Sequence, residues 1–149
     1  MQEERFLIVG GGIAGLTLAL ALEKKGFASL VMERNKESLS AGAGIQLSPN
    51  ASRILKSLGL GNPLLKYVSR PDSTKFRNWR SGKIIHKSDL GDEAETNYGA
   101  PYWQVHRADL THVLLEATRQ KSLIEFLPDC EVLKIHSKDS GTLLSLIHI

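Results

Sequence analysis

Four glycines, Gly10, Gly11, Gly12 and Gly15, stand between an apolar run and a segment rich in Ala and Leu, and nothing else in the chain restricts its fold as strongly. Arg5-Phe6-Leu7-Ile8-Val9 is β-rich and continuously apolar after its first residue, the pattern of a strand buried on both faces. Ile13 to Lys25 reads as a helix, with Gly26 as its C-terminal cap. Ser29-Leu30-Val31-Met32 reads as a second strand, which runs into Glu33. The order strand, glycine turn, helix, strand, acid predicts a βαβ unit in the first 33 residues. Ile13, Leu16, Leu18, Leu20 and Leu22 make the helix apolar nearly all round, which predicts burial on more than one side.

Each part of this unit suits a dinucleotide. Gly10 permits a tight turn, and Gly12 lacks the Cβ that would hold a pyrophosphate off the backbone. Gly15 lets helix and strand pack closely. The helix N-terminus offers free N–H groups and a partial positive charge to phosphates. Glu33 follows Gly15 by 18 residues, close to the usual spacing for an acid that accepts hydrogen bonds from a ribose. G-x-G-x-x-G alone is a weak signal; after a strand, before a helix and upstream of a spaced acid it is a strong one. These residues specify an adenine dinucleotide and leave NAD and FAD both open.

The same stretch could be mistaken for an export signal, because Phe6 to Leu22 is a 17-residue uncharged run and Ala19-Leu20-Ala21 mimics a cleavage site. Glu3 and Glu4 outnumber Arg5 where a signal peptide needs positive charge, and the run is short for a membrane span. No membrane span and a cytoplasmic location are expected. Composition narrows the field further. With 19 Lys+Arg against 16 Asp+Glu, the net charge of +3 is small and scattered, so no nucleic-acid partner is expected. A lone Cys130 can form no internal disulfide and offers no metal cluster, which suits a reducing compartment. The 149 residues suffice for one domain with a real core.

Beyond Glu33-Arg34 a polar loop runs through Ser40, followed by Ala41-Gly42-Ala43-Gly44-Ile45-Gln46-Leu47-Ser48-Pro49-Asn50. Gly42 and Gly44 allow the backbone to approach something flat or charged. Ser48-Pro49 predicts a helix start, a capping hydroxyl before a proline at the first helical position. Ala51, Ile54, Leu55 and Leu58 then share a face, and Gly59 ends the helix. Lys75–Trp79 and Lys83–His86 flank Arg80-Ser81-Gly82 as a hairpin, and Leu90 to Ala100 reads as an acidic surface loop. Tyr102 to Val105 predicts a strand entering His106-Arg107-Ala108-Asp109, with a helix after it carrying Leu110, Val113, Leu114 and Ala117. Leu123–Leu127, Glu131–His136 and Thr142–Ile149 read as strands, with Asp139-Ser140-Gly141 as a turn. His106 is expected in a loop, His112 on an exposed helix face, and Trp79 and Trp103 as packing aromatics. No His or Cys spacing suits a metal, and no G-x-S-x-G suggests a hydrolase.

Three blocks, in this order, resemble the FAD-dependent aromatic hydroxylases, the single-component flavoprotein monooxygenases. They are Val9-Gly10-Gly11-Gly12-Ile13-Ala14-Gly15-Leu16 with Glu33-Arg34, Gly42-Ala43-Gly44-Ile45-Gln46-Leu47-Ser48-Pro49-Asn50, and His106-Arg107-Ala108-Asp109-Leu110. The middle block is most similar to the salicylate hydroxylase and 3-hydroxybenzoate 6-hydroxylase branch, and the likeness covers Phe6 to about Ile135. It implies an α/β fold, a Rossmann-like FAD/NAD(P)-binding domain with part of a β-rich substrate-domain insertion. Residues 1–69 would form the βαβ core and flavin-side loop and helix, 70–104 the inserted hairpin and loop, and 105–149 the return to the FAD domain. Gly10, Gly12, Ile13, Ala14 and Gly15 would hold the FAD pyrophosphate, Glu33 the adenosine ribose, and Arg34 would lie beside the adenine end. Gly44, Ile45 and Gln46 would approach the flavin side, and Arg107 would reach a bridging phosphate.

The implied reaction uses NADH or NADPH to reduce FAD; reduced flavin and O2 then form a C4a-hydroperoxide that hydroxylates a small aromatic substrate. The resemblance assigns no catalytic residue in this chain. Family members are considerably longer, so the chain is expected to be an N-terminal fragment, truncated at its C-terminus and inactive alone, with Ser145 to Ile149 resembling read-through of non-native DNA. A β-rich edge left unpaired by truncation would favour aggregation. The alternatives are another FAD- or NAD-dependent oxidoreductase and a dinucleotide-binding module without turnover.

Overall fold

The apolar run and the segment after Gly26 do lie side by side as parallel strands, with the helix between them. A computed structural model describes residues 5–36, 42–138 and 141–148. In chain order the elements are β1 (Phe6–Val9), α1 (Ile13–Glu23), β2 (Ser29–Met32), β3 (Gly44–Leu47), α2 (Pro49–Ser57), α3 (Gly61–Leu64), β4 (Ser73–Arg77) and β5 (Ile84–Asp89). There follow α4 (Gly91–Tyr98), β6 (Trp103–His106), α5 (Arg107–Arg119), β7 (Ile124–Leu127), β8 (Cys130–Lys138) and β9 (Gly141–His148). They form two compact units, one of Met1–Ser40 with Thr111–Ile149 and the other of Ala41–Leu110. The expected turn residues Asp139 and Ser140, and most of the loop after Lys36, lie outside the described residues.

In the first unit β2 is the central strand of a parallel sheet ordered β1-β2-β7, with Phe6 opposite Ser29 and Ser29 opposite Ile124. All four β2 residues are buried, as a continuously apolar parallel strand requires. β1 departs from the expectation: only Ile8 is buried, while Phe6, Leu7 and Val9 are exposed. Residues alternate between faces along a strand, and the two faces are covered differently. Ile8 points toward α1, where its Cγ2 lies 3.2 Å from where a Gly15 Cβ would sit. On the other face Leu30 and Met32 of β2 pack with Cys130, Leu127, Val132 and Leu144, so the antiparallel β8–β9 ribbon covers β2 and leaves Leu7 and Val9 of β1 open.

Helix α1 likewise buries one face, Leu16, Ala19 and Leu20, rather than several. Leu18 is 50% exposed, so all-round apolarity misstated the burial of this helix. Gly26, at φ +83°, makes the left-handed turn after it.

In the second unit β3 and β6 pair antiparallel, Gly44 opposite His106 and Leu47 opposite Trp103. Leu47, Leu55, Leu64, Trp103 and Val105 are buried there. Helix α2 starts at Pro49 as predicted, but the Ser48 hydroxyl caps no backbone N–H; it donates to the Asn50 side-chain oxygen instead. The buried face of α2 is Ser52 and Leu55, and Ile54 is exposed. The Ser52 hydroxyl donates to the Pro101 carbonyl at 2.5 Å, which satisfies a buried polar group and brings the helix against the residues before β6. β4 and β5 form the expected hairpin, turning at Gly82 with φ +67°. Trp79, expected to pack, is 84% exposed with the Arg80 guanidinium 4.7 Å above its ring, whereas Trp103 is buried. The stretch expected as a loop contains α4, whose first turn carries Asp92 and Glu93 and whose end is closed by Gly99 in the left-handed conformation. His106 is the last residue of β6 rather than a loop residue, and His112 is exposed on α5.

Candidate dinucleotide-binding site

The turn between β1 and α1 is built from glycines that do different things. Gly10 has φ +104°, where a side chain is strained, and its N–H donates to the Met32 carbonyl at 2.7 Å, extending the β1–β2 ladder by one residue. A Cβ on Gly15 would overlap the Gly10 carbonyl oxygen, so close packing of helix on turn demands glycine there. At Gly12 a Cβ would meet nothing within 4 Å. Gly12 is exposed and its φ of −80° is ordinary, so neither packing nor backbone geometry calls for glycine at this position. Open space at this point is what a phosphate group would need.

Helix α1 begins at Ile13, with the Leu16 N–H donating to the Gly12 carbonyl at 3.0 Å. It has no side-chain cap and no acidic residue in its first turn, so no side chain of the helix itself occupies its positive end. Ile13 is half-buried and Ala14 exposed at the mouth of this turn.

Glu33 completes the arrangement from the end of β2. It is only 9% exposed, yet its carboxylate is well satisfied. Oε2 accepts from the Gly11 N–H at 2.7 Å, and Oε1 accepts from the Asn35 N–H at 2.9 Å and from Asn35 Nδ2 at 2.7 Å. The backbone is fixed as well: the Glu33 N–H donates to Leu127 O at 2.9 Å, and Cys130 N–H donates to Glu33 O at 3.0 Å. Two residues that sequence reasoning passed over therefore matter. Asn35 holds the acid, and Gly11 sits so close to β7 that a Cβ would lie 2.8 Å from Phe126 Cε2 and 3.0 Å from Glu33 Cβ. The only advance sign of Gly11 was its place as the middle of three consecutive glycines. Arg34 is exposed beside Glu33 in the chain.

The remaining predicted residues belong to the second unit. Gly44, Ile45 and Gln46 lie on β3, with Gly44 and Gln46 exposed and Ile45 half-buried. A Cβ on Gly44 would meet nothing within 4 Å. Arg107 opens α5, its N–H donating to the Ala43 carbonyl at 3.3 Å. Gly42 was expected to approach something flat or charged, and its neighbour is Arg107, whose Cβ would lie 2.8 Å from a Cβ at position 42. Gly42 to Gln46 and Arg107 are thus brought together. One titration shift stands out in this unit, on the β4–β5 hairpin: the hydrogen bond and charge of Asp89, 2.5 Å away, hold the exposed Lys87 ammonium above the usual lysine range.

Comparison with known proteins gives a consistent picture. A family model described as an FAD binding domain matches residues 3–143. The 3-amino-4-hydroxybenzoate 2-monooxygenase of Streptomyces cremeus is 40% identical over 150 residues, covering 95% of this chain and 37% of that protein. The 3-hydroxybenzoate 6-hydroxylase of Polaromonas naphthalenivorans is 35% identical over 136 residues, covering 91% of this chain and 34% of that protein. The chain therefore spans little more than a third of the length of these relatives. Among solved structures, p-nitrophenol 4-monooxygenase from Pseudomonas putida superposes with a TM-score of 0.81 at 22% identity, over 97% of this chain and 39% of that one, which shows the shared fold. No helix among the described residues is long and apolar enough to cross a membrane.

Proposed function

This chain belongs to the FAD binding domain family, and on that premise we propose that it is the FAD-binding portion of a longer NAD(P)H-dependent flavoprotein monooxygenase acting on a small aromatic substrate with O2. The observation that carries the reading is the buried Glu33 carboxylate, fixed against the Gly11 N–H at the glycine turn where Gly12 leaves open space.

In this reading the uncapped start of α1, at Gly12, Ile13, Ala14 and Gly15, takes the pyrophosphate through backbone N–H groups and the helix dipole. Gly10 and Gly15 set the turn. Glu33 accepts from the adenosine ribose, and exposed Arg34 lies at the adenine end. Gly44, Ile45 and Gln46 serve the flavin, and Arg107 serves a phosphate, for which a guanidinium is suited. Bound FAD supplies the redox and oxygen chemistry, while this chain binds and orients it. The two curated relatives are named for hydroxybenzoates, which makes an electron-rich aromatic acid the favoured substrate class. The same reading favours a reducing compartment such as the cytoplasm, supported by the single, buried Cys130.

Quenching of flavin fluorescence on titration with the 149-residue chain tests this. Saturable FAD binding is expected, with NAD bound more weakly. Gly12→Val fills the open space without touching the packed interior, so it should weaken FAD binding by at least about tenfold, the worth of one charge-assisted hydrogen bond. Binding of NAD in preference to FAD would refute the flavoprotein reading. Equal FAD affinity in Gly12→Val would refute the pyrophosphate site.

A further inference from the structure

The Glu33 carboxylate has about four acceptor places, and three are already taken: two on Oε1 by the backbone and side-chain N–H groups of Asn35, and one on Oε2 by the Gly11 N–H. We infer that Asn35 is a positioning residue for cofactor binding, whose side-chain amide pins Oε1 of Glu33 so that the remaining place on Oε2 is presented to a ribose hydroxyl. The inference rests on the reading of Glu33 as the ribose acceptor.

The physical argument concerns torsional freedom. A glutamate side chain has three rotatable bonds and a broad terminal torsion, so a carboxylate at the end of β2 would ordinarily sample several orientations. Here the Gly11 N–H restrains one oxygen from the glycine turn and Asn35 restrains the other. The two donors of Asn35 come from a single residue two positions further on, a local loop in which the side chain reaches back to the acid. Burial of Glu33 to nine-tenths makes these bonds count for more than they would in water. Asn35 itself is exposed, so truncating it leaves no cavity, and its backbone N–H bond survives any substitution except proline.

The test compares FAD with an analogue whose adenosine ribose lacks both hydroxyls, each titrated against the unsubstituted chain, Asn35→Ala and Asn35→Asp. Asn35→Ala should bind FAD about tenfold more weakly, as expected for loss of a hydrogen bond that orders a charged group. Asn35→Asp should lose more, since it removes the donor and sets a like charge beside Glu33. The dideoxy analogue should bind the unsubstituted chain weakly and should be unaffected by Asn35→Ala, a distinction that general damage to the fold would not produce. In 1H–15N spectra without ligand, the Gly11 amide resonance should move in Asn35→Ala, because its acceptor is freed. If the chain discriminates the analogue but Asn35→Ala binds FAD as well as the unsubstituted chain, the inference is overturned and the ribose reading stands. If the chain does not bind FAD, or binds FAD and analogue equally, the ribose reading of Glu33 falls and the inference falls with it.

Discussion

A methyl group at position 15 would strike the Gly10 carbonyl oxygen, a backbone atom that cannot rotate away, whereas one at position 12 would enter open space. Gly15→Ala should therefore cost roughly 1–3 kcal/mol, the range for overpacking, read as a lower urea midpoint at unchanged slope. Gly12→Ala should leave that midpoint within about 0.5 kcal/mol, as for substitutions away from packed features. A midpoint for Gly15→Ala equal to the unsubstituted one would show that α1 does not pack on the turn as described. The roles of Gly10, Gly15 and the position of Glu33 were legible in the sequence because backbone geometry at such a turn allows few residue types. Gly11 and Asn35 were not, because what requires them is a partner distant in sequence, Phe126, in one case and a particular side-chain orientation in the other.

At the scale of elements, periodicity revealed what would form and said less about what would be covered. β1 and β2 read alike as apolar strands, yet β2 is buried and β1 largely open, because the β8–β9 ribbon lies over Leu30 and Met32 but not over Leu7 and Val9. Helix α4 was missed for the converse reason. It buries a single residue, Ala94, so it lacks an apolar stripe, and its signs were only the acids of its first turn and the Gly99 cap. Because Gly99 has φ +69°, Gly99→Ala should cost about 1–2 kcal/mol, the left-handed penalty for a residue with a Cβ; an unchanged unfolding midpoint would contradict the cap. Ser52→Ala should cost about 1–3 kcal/mol, since it leaves the Pro101 carbonyl buried without its donor.

For the whole molecule, the first unit is assembled from both ends of the chain: β7, at Ile124–Leu127, completes a sheet begun at Phe6. Phe6, Leu7, Val9 and Phe27 of that unit are exposed, and so are Phe76, Trp79 and Ile85 of the other. The 149-residue chain should accordingly bind a dye that reports exposed apolar surface, and should associate increasingly with concentration, because such surface and an open strand edge both favour contact between copies. A monodisperse monomer with no dye binding would argue that these side chains are covered. The family and its cofactor were readable from three short blocks, since binding a dinucleotide constrains a few adjacent residues. The substrate was not, because those three blocks answer to the dinucleotide and carry no signal for an aromatic ring. The most direct test of the central claim is a titration of the 15N-labelled chain with FAD, followed residue by residue. Saturable shifts centred on Gly10 to Gly15 and on Glu33 and Asn35 are predicted; saturable binding that leaves those amides unmoved, or no binding at all, would contradict the account.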